Sequence, residues 1–204
     1  MRRLLVLLLI VLAPLSPAWS AGPSQTMEPG QVLRGRFVQE RHLSGFGAPL
    51  RTEGRFVLVP GRGLIWQAET PFAVTTVITA AGLVQTAGGT ETMRLPSARL
   101  PFLSRLYDML GGVLGGDWRA MESDFATTRS GDDGNWRMEL VPRRAPDQVS
   151  MPFRSIVAKG GRFLDEVVLA KADSEDFDRL SFLDQSLSRD SLTGAEASLL
   201  DSSR

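Results

Sequence analysis

Apolar and polar residues alternate with a period of two along most of this chain, and that alternation constrains its fold more than any other feature. The clearest case is the segment NWRMELVPR, where Trp136, Met138 and Leu140 alternate with Asn135, Arg137 and Glu139. Such a pattern is typical of strands with one buried and one solvated face. Short turns such as PGRG and SGDDG separate the segments, so consecutive strands are predicted to pair as antiparallel hairpins.

A long antiparallel meander leaves exposed edges unless its sheet curls. The sequence therefore predicts a mainly β protein with few helices, in which a strongly curved antiparallel sheet forms an incomplete barrel. The concave face of such a sheet needs an apolar cover.

One amphipathic segment, LPFLSRLYDMLGGVLGG over residues 100–116, interrupts the strands. Pro101 suits the first turn of a helix, and apolar residues recur at three- and four-residue steps. Two glycine pairs follow, and glycine weakens a helix by about 1 kcal/mol relative to alanine. A helical lid over an apolar cavity is the interpretation we favour, and a permanent core helix is the alternative. The lid would contribute Phe102, Leu103, Leu106 and Leu110 and would hinge at Gly111, Gly112, Gly115 and Gly116.

The two ends of the chain are expected to lie outside the sheet domain of residues 32–185. Residues 1–20 have a positive start, an apolar stretch and small residues before Ser20, as in a cleavable signal peptide. Export to the periplasm is the expectation. Residues 21–31 are predicted to be an N-terminal arm, and residues 186–204 a weakly ordered tail.

Composition argues against several classes of function. Loss of Arg2 and Arg3 with the signal peptide leaves a formal charge of −2, whereas nucleic-acid binders carry a basic surplus. His42 is the one histidine and there is no cysteine, so no metal site or catalytic Ser-His pair is expected beyond what His42 could support. The acidic group Asp173, Glu175, Asp176 and Asp178 is predicted to be a solvated turn. The chain is not expected to be an enzyme or to need a cofactor.

An ordered set of motifs resembles the periplasmic carriers of outer-membrane lipoproteins, LolA and its relatives. GRFVQE provides the opening Phe-x-Gln, and EGRFVLVPGRGLIWQAETPF provides glycine, alternating apolar residues, tryptophan and proline. LPF opens the candidate helix, DW follows it, and GRFLDEVVLAKAD resembles the late hairpin of the family. The family has a functional arginine directly before a proline in the turn after its second strand, and this chain lacks that arginine. Arg62, in the corresponding turn, is the nearest candidate for the same role as a gate. The chain is therefore interpreted as a divergent member.

The resemblance implies a carrier that sequesters acyl chains of a lipoprotein or another lipidic cargo. It implies transfer from an inner-membrane exporter to an outer-membrane acceptor, by a protein that is expected to be a monomer. Together with strand parity, it predicts a cargo cavity lined by Phe37, Phe56, Leu58, Leu64, Trp66, Phe72 and Val74.

Two other functions stay open at this point. A non-transporting periplasmic scaffold could use the same curved sheet to bind an envelope complex, and a packed interior would favour it. A lipid hydrolase is the third possibility, and it would have to depend on His42.

Overall fold

The computed structural model describes residues 27–99, 125–143 and 152–203, and within them the chain is almost entirely β-structure. The predicted signal peptide and the predicted lid with its glycine pairs lie outside the described residues, as does most of the predicted arm. The elements are β1 (Val32–His42), β2 (Leu50–Val59), β3 (Gly63–Thr70), β4 (Val74–Thr79), β5 (Gly82–Ala87), β6 (Thr90–Pro96), a 3₁₀ turn (Ser97–Arg99), β7 (Phe125–Asp132), β8 (Asn135–Pro142), β9 (Phe153–Gly160), β10 (Leu164–Lys171), β11 (Phe177–Ser188) and α1 (Gly194–Ser202).

All eleven strands form one antiparallel sheet in the order β6-β5-β4-β3-β2-β1-β11-β10-β9-β8-β7. Each strand from β1 to β6, and each from β7 to β11, pairs with the next along the chain, and the pairing of β1 with β11 joins the two halves. β6 and β7, which are consecutive in sequence, are therefore the two edges of the sheet. The sheet is not closed into a barrel, which confirms the predicted antiparallel fold with its incomplete barrel.

One surface of the sheet, which we call the apolar face, holds the larger hydrophobic core. Strand parity and register bring one side of nine strands together here. Its buried residues are Leu33, Phe37, Phe56, Leu58, Leu64, Ile78, Phe125, Trp136, Met138, Leu140, Phe153, Ile156, Ala158, Leu164, Val167 and Phe182.

Helix α1 covers part of the opposite face. Leu200 is fully buried there among Val32, Val57, Val59, Ile65 and Val77. Leu200 also contacts the position of Gly63, where a Cβ atom would lie 2.7 Å from its Cδ2. The helix begins with a capping box, in which Thr193 accepts a hydrogen bond from the Glu196 backbone and Glu196 accepts one from the Thr193 backbone.

Helix α1 replaces part of the weakly ordered tail that the sequence led us to expect. Strand β11 also continues to Ser188, beyond the expected domain end at residue 185. The sequence of α1 has weak hydrophobic periodicity, and Leu200 is the one residue of the helix that is buried. Its order comes from the capping box and from contact with the sheet, and neither appears as a period in the sequence.

The rest of the opposite face carries a ladder of alternating charges. Lys159 pairs with Glu166 at 3.0 Å, Arg179 lies 3.8 Å from both Glu166 and Glu40, and Arg51 pairs with Glu40 at 3.3 Å. The ladder crosses strands β9, β10, β11, β1 and β2. Cross-strand pairs of this kind suit a solvated sheet surface, so the uncovered part of this face is in contact with water.

Candidate functional site

An aromatic cluster lies at the centre of the apolar face. The ring of Phe37 stacks on Trp66 with centroids 3.7 Å apart, and Phe182 meets Phe56 edge to face at 5.6 Å. Phe56 lies opposite Gly35 in the β1–β2 register, and a Cβ atom on Gly35 would come within 2.7 Å of its ring. The glycine of the GRFVQE motif therefore makes room for this ring.

The structure brings together six of the seven residues predicted to line a cargo cavity. Phe37, Phe56, Leu58 and Leu64 are at most 2% exposed and belong to the apolar core. Trp66 and Val74 are half-buried on the same face, the first packed against that core. Phe37, Phe56, Leu58, Leu64 and Trp66 pack together in this core.

Phe72 does not lie with the other six residues. It sits in the turn between β3 and β4 and is 77% exposed. Its assignment to the cavity rested on strand parity, which does not extend through a turn. The structure therefore does not place Phe72 with the other predicted cavity residues.

Arg62, the candidate gate, lies in the turn between β2 and β3. Its Nη2 donates to Oδ1 of Asp201 in α1 at 3.1 Å. The contact places Arg62 beside the helix that covers the opposite face of the sheet, and Arg62 does not lie in the apolar core.

Several residues of the apolar face were not predicted as part of it. Phe182 completes the aromatic cluster, and Trp136, Met138 and Leu140 continue the face on β8. The alternation of the β8 residues was visible in the sequence. The sequence did not show that β8 shares a face with β2, because that placement depends on the pairing of β1 with β11.

A charge cluster with a buried carboxylate and two partly exposed cations borders the apolar face near the β10–β11 turn. Asp178 is 3% exposed, and it accepts hydrogen bonds from Arg41 at 2.9 Å and from Lys171 at 2.8 Å. Burial acts to raise the pKa of Asp178, but the hydrogen bonds from Lys171 and Arg41 lower it below its ordinary value. Asp178 is thus a structural carboxylate in a strand, which corrects its assignment to a solvated turn.

His42 stacks on Phe177 with ring centroids 4.2 Å apart, and its Nε2 is enclosed without a hydrogen-bond partner in the described structure. Its side chain is half-buried. No hydroxyl nucleophile is seen hydrogen bonded to it among the described residues. Within these same ranges, no three histidine, aspartate or glutamate side chains are grouped as they would be around a metal ion.

None of the helices in the described ranges has the length and hydropathy that a membrane-spanning helix requires.

Residues 24–167 match the family model described as "Outer membrane lipoprotein carrier protein LolA-like". Among solved structures, the chain is similar to a LolA superfamily protein from Nitrosomonas europaea, with 10% identity, a TM-score of 0.43, and coverage of 82% of this chain and 90% of that chain. No curated protein matches the chain. Because the family model spans more than half of the sequence, the chain belongs to the LolA-like family of outer membrane lipoprotein carrier proteins.

Proposed function

We propose that this protein is a periplasmic carrier that binds the acyl chains of a lipoprotein or another lipidic cargo on the apolar face of its open sheet. The observation that carries the proposal is the continuity of that face, which extends from β4 through β1 and β11 to β7 in a sheet whose edges do not pair. Membership of the family supports the same class of ligand. An exporter in the inner membrane and an acceptor in the outer membrane would be its partners.

The packing of the apolar face sets the energetics of loading. Each methylene of an acyl chain that is removed from water contributes about 0.8 kcal/mol to binding. Part of this gain is offset because the chain has to replace contacts that already bury Phe37, Phe56 and Phe182. Competition between cargo and the protein's own apolar groups for one surface keeps the net affinity moderate. A carrier needs that balance because it must also release its cargo.

The same packing favours a second candidate function. The near-complete burial of Phe37, Phe56 and Phe182 is what an ordinary core would show, and a scaffold protein would keep that core closed while docking through other surfaces. The two candidates differ in whether an acyl chain can enter.

Binding of saturated acyl probes of increasing length to the purified mature protein separates these functions. The carrier predicts that affinity rises about fourfold for each added methylene until the site is full. Trp66→Ser should weaken binding at least about tenfold, because a large half-buried ring of the apolar face is lost. Gln67→Ser is the matched control. Gln67 follows Trp66 on the same strand and lies on the opposite face, where it pairs with Arg55.

Thermal unfolding of both variants, followed by circular dichroism, checks that each is folded. Absence of binding for every chain length, with a folded protein, would contradict the carrier and support the scaffold. Equal losses in the Trp66 and Gln67 variants would contradict the assignment of the apolar face.

A further inference from the structure

The edge strand β7 changes the chemistry of the apolar face. In register with Leu140, Met138 and Trp136 of β8, it places Thr127, Arg129 and Gly131. Three large apolar side chains on one strand are therefore followed by a hydroxyl, a guanidinium and no side chain on the next. The apolar face ends here in a polar, cationic border.

An open cavity of about 330 Å³ lies at this border, and the described residues that line it are Phe125, Thr127, Arg129 and Arg143. Arg143 is held in place because its Nε donates to the carbonyl oxygen of Phe125 at 3.1 Å. The hydroxyl of Thr127 is enclosed and has no hydrogen-bond partner in the described structure. Buried polar groups without a partner are rare in native proteins, and a ligand that reached this hydroxyl from the adjoining cavity would supply the missing partner.

Guanidinium groups recognise planar or tetrahedral oxyanions through paired, charge-assisted hydrogen bonds. Two of them beside a hydroxyl donor form a site for a carboxylate or a phosphate. The ring of Phe125, which stacks on Phe153 with centroids 6.2 Å apart, connects this site to the apolar face. A volume of this size is at the lower end of the range for small-molecule sites, so it fits a headgroup and not a whole long-chain lipid.

We infer that Arg129, Arg143 and Thr127 bind the oxyanion of an amphiphilic cargo whose acyl chain lies along the apolar face. The inference rests on the proposed carrier function and specifies its cargo as anionic. The shared chemistry is an oxyanion, which could belong to a fatty acid, to a lipid phosphate or to free inorganic phosphate.

The test compares three probes with the same acyl chain on the full mature chain: a fatty acid, a lysophosphatidate and the uncharged fatty alcohol. Both anionic probes, or one of them, should bind at least about tenfold more tightly than the alcohol. Arg129→Gln with Arg143→Gln should abolish that preference while leaving the affinity for the alcohol within about twofold. Each single substitution, Arg129→Gln or Arg143→Gln, is also compared with Arg137→Gln, because Arg137 is exposed on the opposite face of β8 and its loss removes the same single positive charge.

Inorganic phosphate alone, tested by competition, identifies the source of the oxyanion. If phosphate displaces the anionic lipid only weakly, the oxyanion belongs to a lipid headgroup. If phosphate binds as tightly as the anionic lipids do, the proposal of an amphiphilic cargo is overturned. If no probe binds, the carrier function fails. If the alcohol and the anionic probes bind equally, or the double variant weakens all three alike, the carrier stands and the headgroup site is wrong.

Discussion

Asp178 shows how a single residue fixes the border of the apolar face. Its side chain is 5% exposed, whereas those of its partners Arg41 and Lys171 are 49% and 39% exposed. The two cations can therefore be hydrated without the carboxylate, but the carboxylate cannot be hydrated without moving. Leaving the buried carboxylate without its two cations therefore costs more free energy than leaving the two hydrated cations without the carboxylate.

This asymmetry predicts unequal effects of substitution at the cluster. Asp178→Asn should lower the free energy of unfolding by about 1–3 kcal/mol, since it removes charge-assisted hydrogen bonds but leaves no buried charge. Arg41→Gln combined with Lys171→Gln should cost more, about 3–5 kcal/mol, because the buried carboxylate is left uncompensated. Urea unfolding at neutral pH measures both. A larger loss for the aspartate variant than for the double variant would contradict this account of the cluster.

At the scale of elements, helix α1 is attached to the sheet by a charged contact as well as by Leu200. Arg34 on β1 donates from Nε and Nη2 to the two carboxylate oxygens of Glu196, at 3.0 and 2.9 Å. The hydrogen bond from Arg34 is the main reason that the pKa of Glu196 is lowered to about 2. The same carboxylate caps α1, so one side chain serves both the helix start and its docking.

The lowered pKa of Glu196 predicts a pH-dependent contribution of α1 to stability. A carboxylate whose folded pKa is depressed stabilises above its unfolded pKa, and the stabilisation is lost as the pH falls through its folded pKa. The ordinary value is 4.5, so the loss should run from about pH 5 down to about pH 2. The difference in unfolding free energy between wild type and Glu196→Gln should be constant above this window and should shrink within it.

Glu91→Gln is the control for the helix contact, because Glu91 and Arg94 form a comparable ion pair on exposed side chains and such pairs contribute little. Urea unfolding at a series of pH values gives the differences. A wild-type-minus-Glu196→Gln difference that stays unchanged down to pH 2 would show that the ion pair does not hold the helix.

At the scale of the whole molecule, the predictable part of the fold is the part written in local sequence. Alternation and turn residues located the hairpins, including the turn PGRG between β2 and β3 and the turn SGDDG between β7 and β8. The pairing of β1 with β11 joins residues far apart in sequence and has no local signal. The extension of the apolar face to β8 and β7, and with it the cationic border, follows from that pairing and could not be predicted without it.

The order of the described strands leaves the sheet open between its two edges. The two edges, β6 and β7, are consecutive in the chain, and the segment that joins them contains the amphipathic sequence of residues 100–116. A movable cover at this position remains a prediction from the sequence. The proposed carrier requires that acyl chains reach the apolar face by whatever path this opening provides.

Lipid mass spectrometry tests the central claim most directly. The mature protein would be purified without detergent from a native periplasm and extracted with organic solvent, and the extract would be compared with that of Trp66→Ser. The carrier predicts an acylated species near one mole per mole of protein, reduced in the variant, with an acidic headgroup if the cationic border binds it. A folded protein that is reproducibly empty and takes up no acyl probe would contradict the claim.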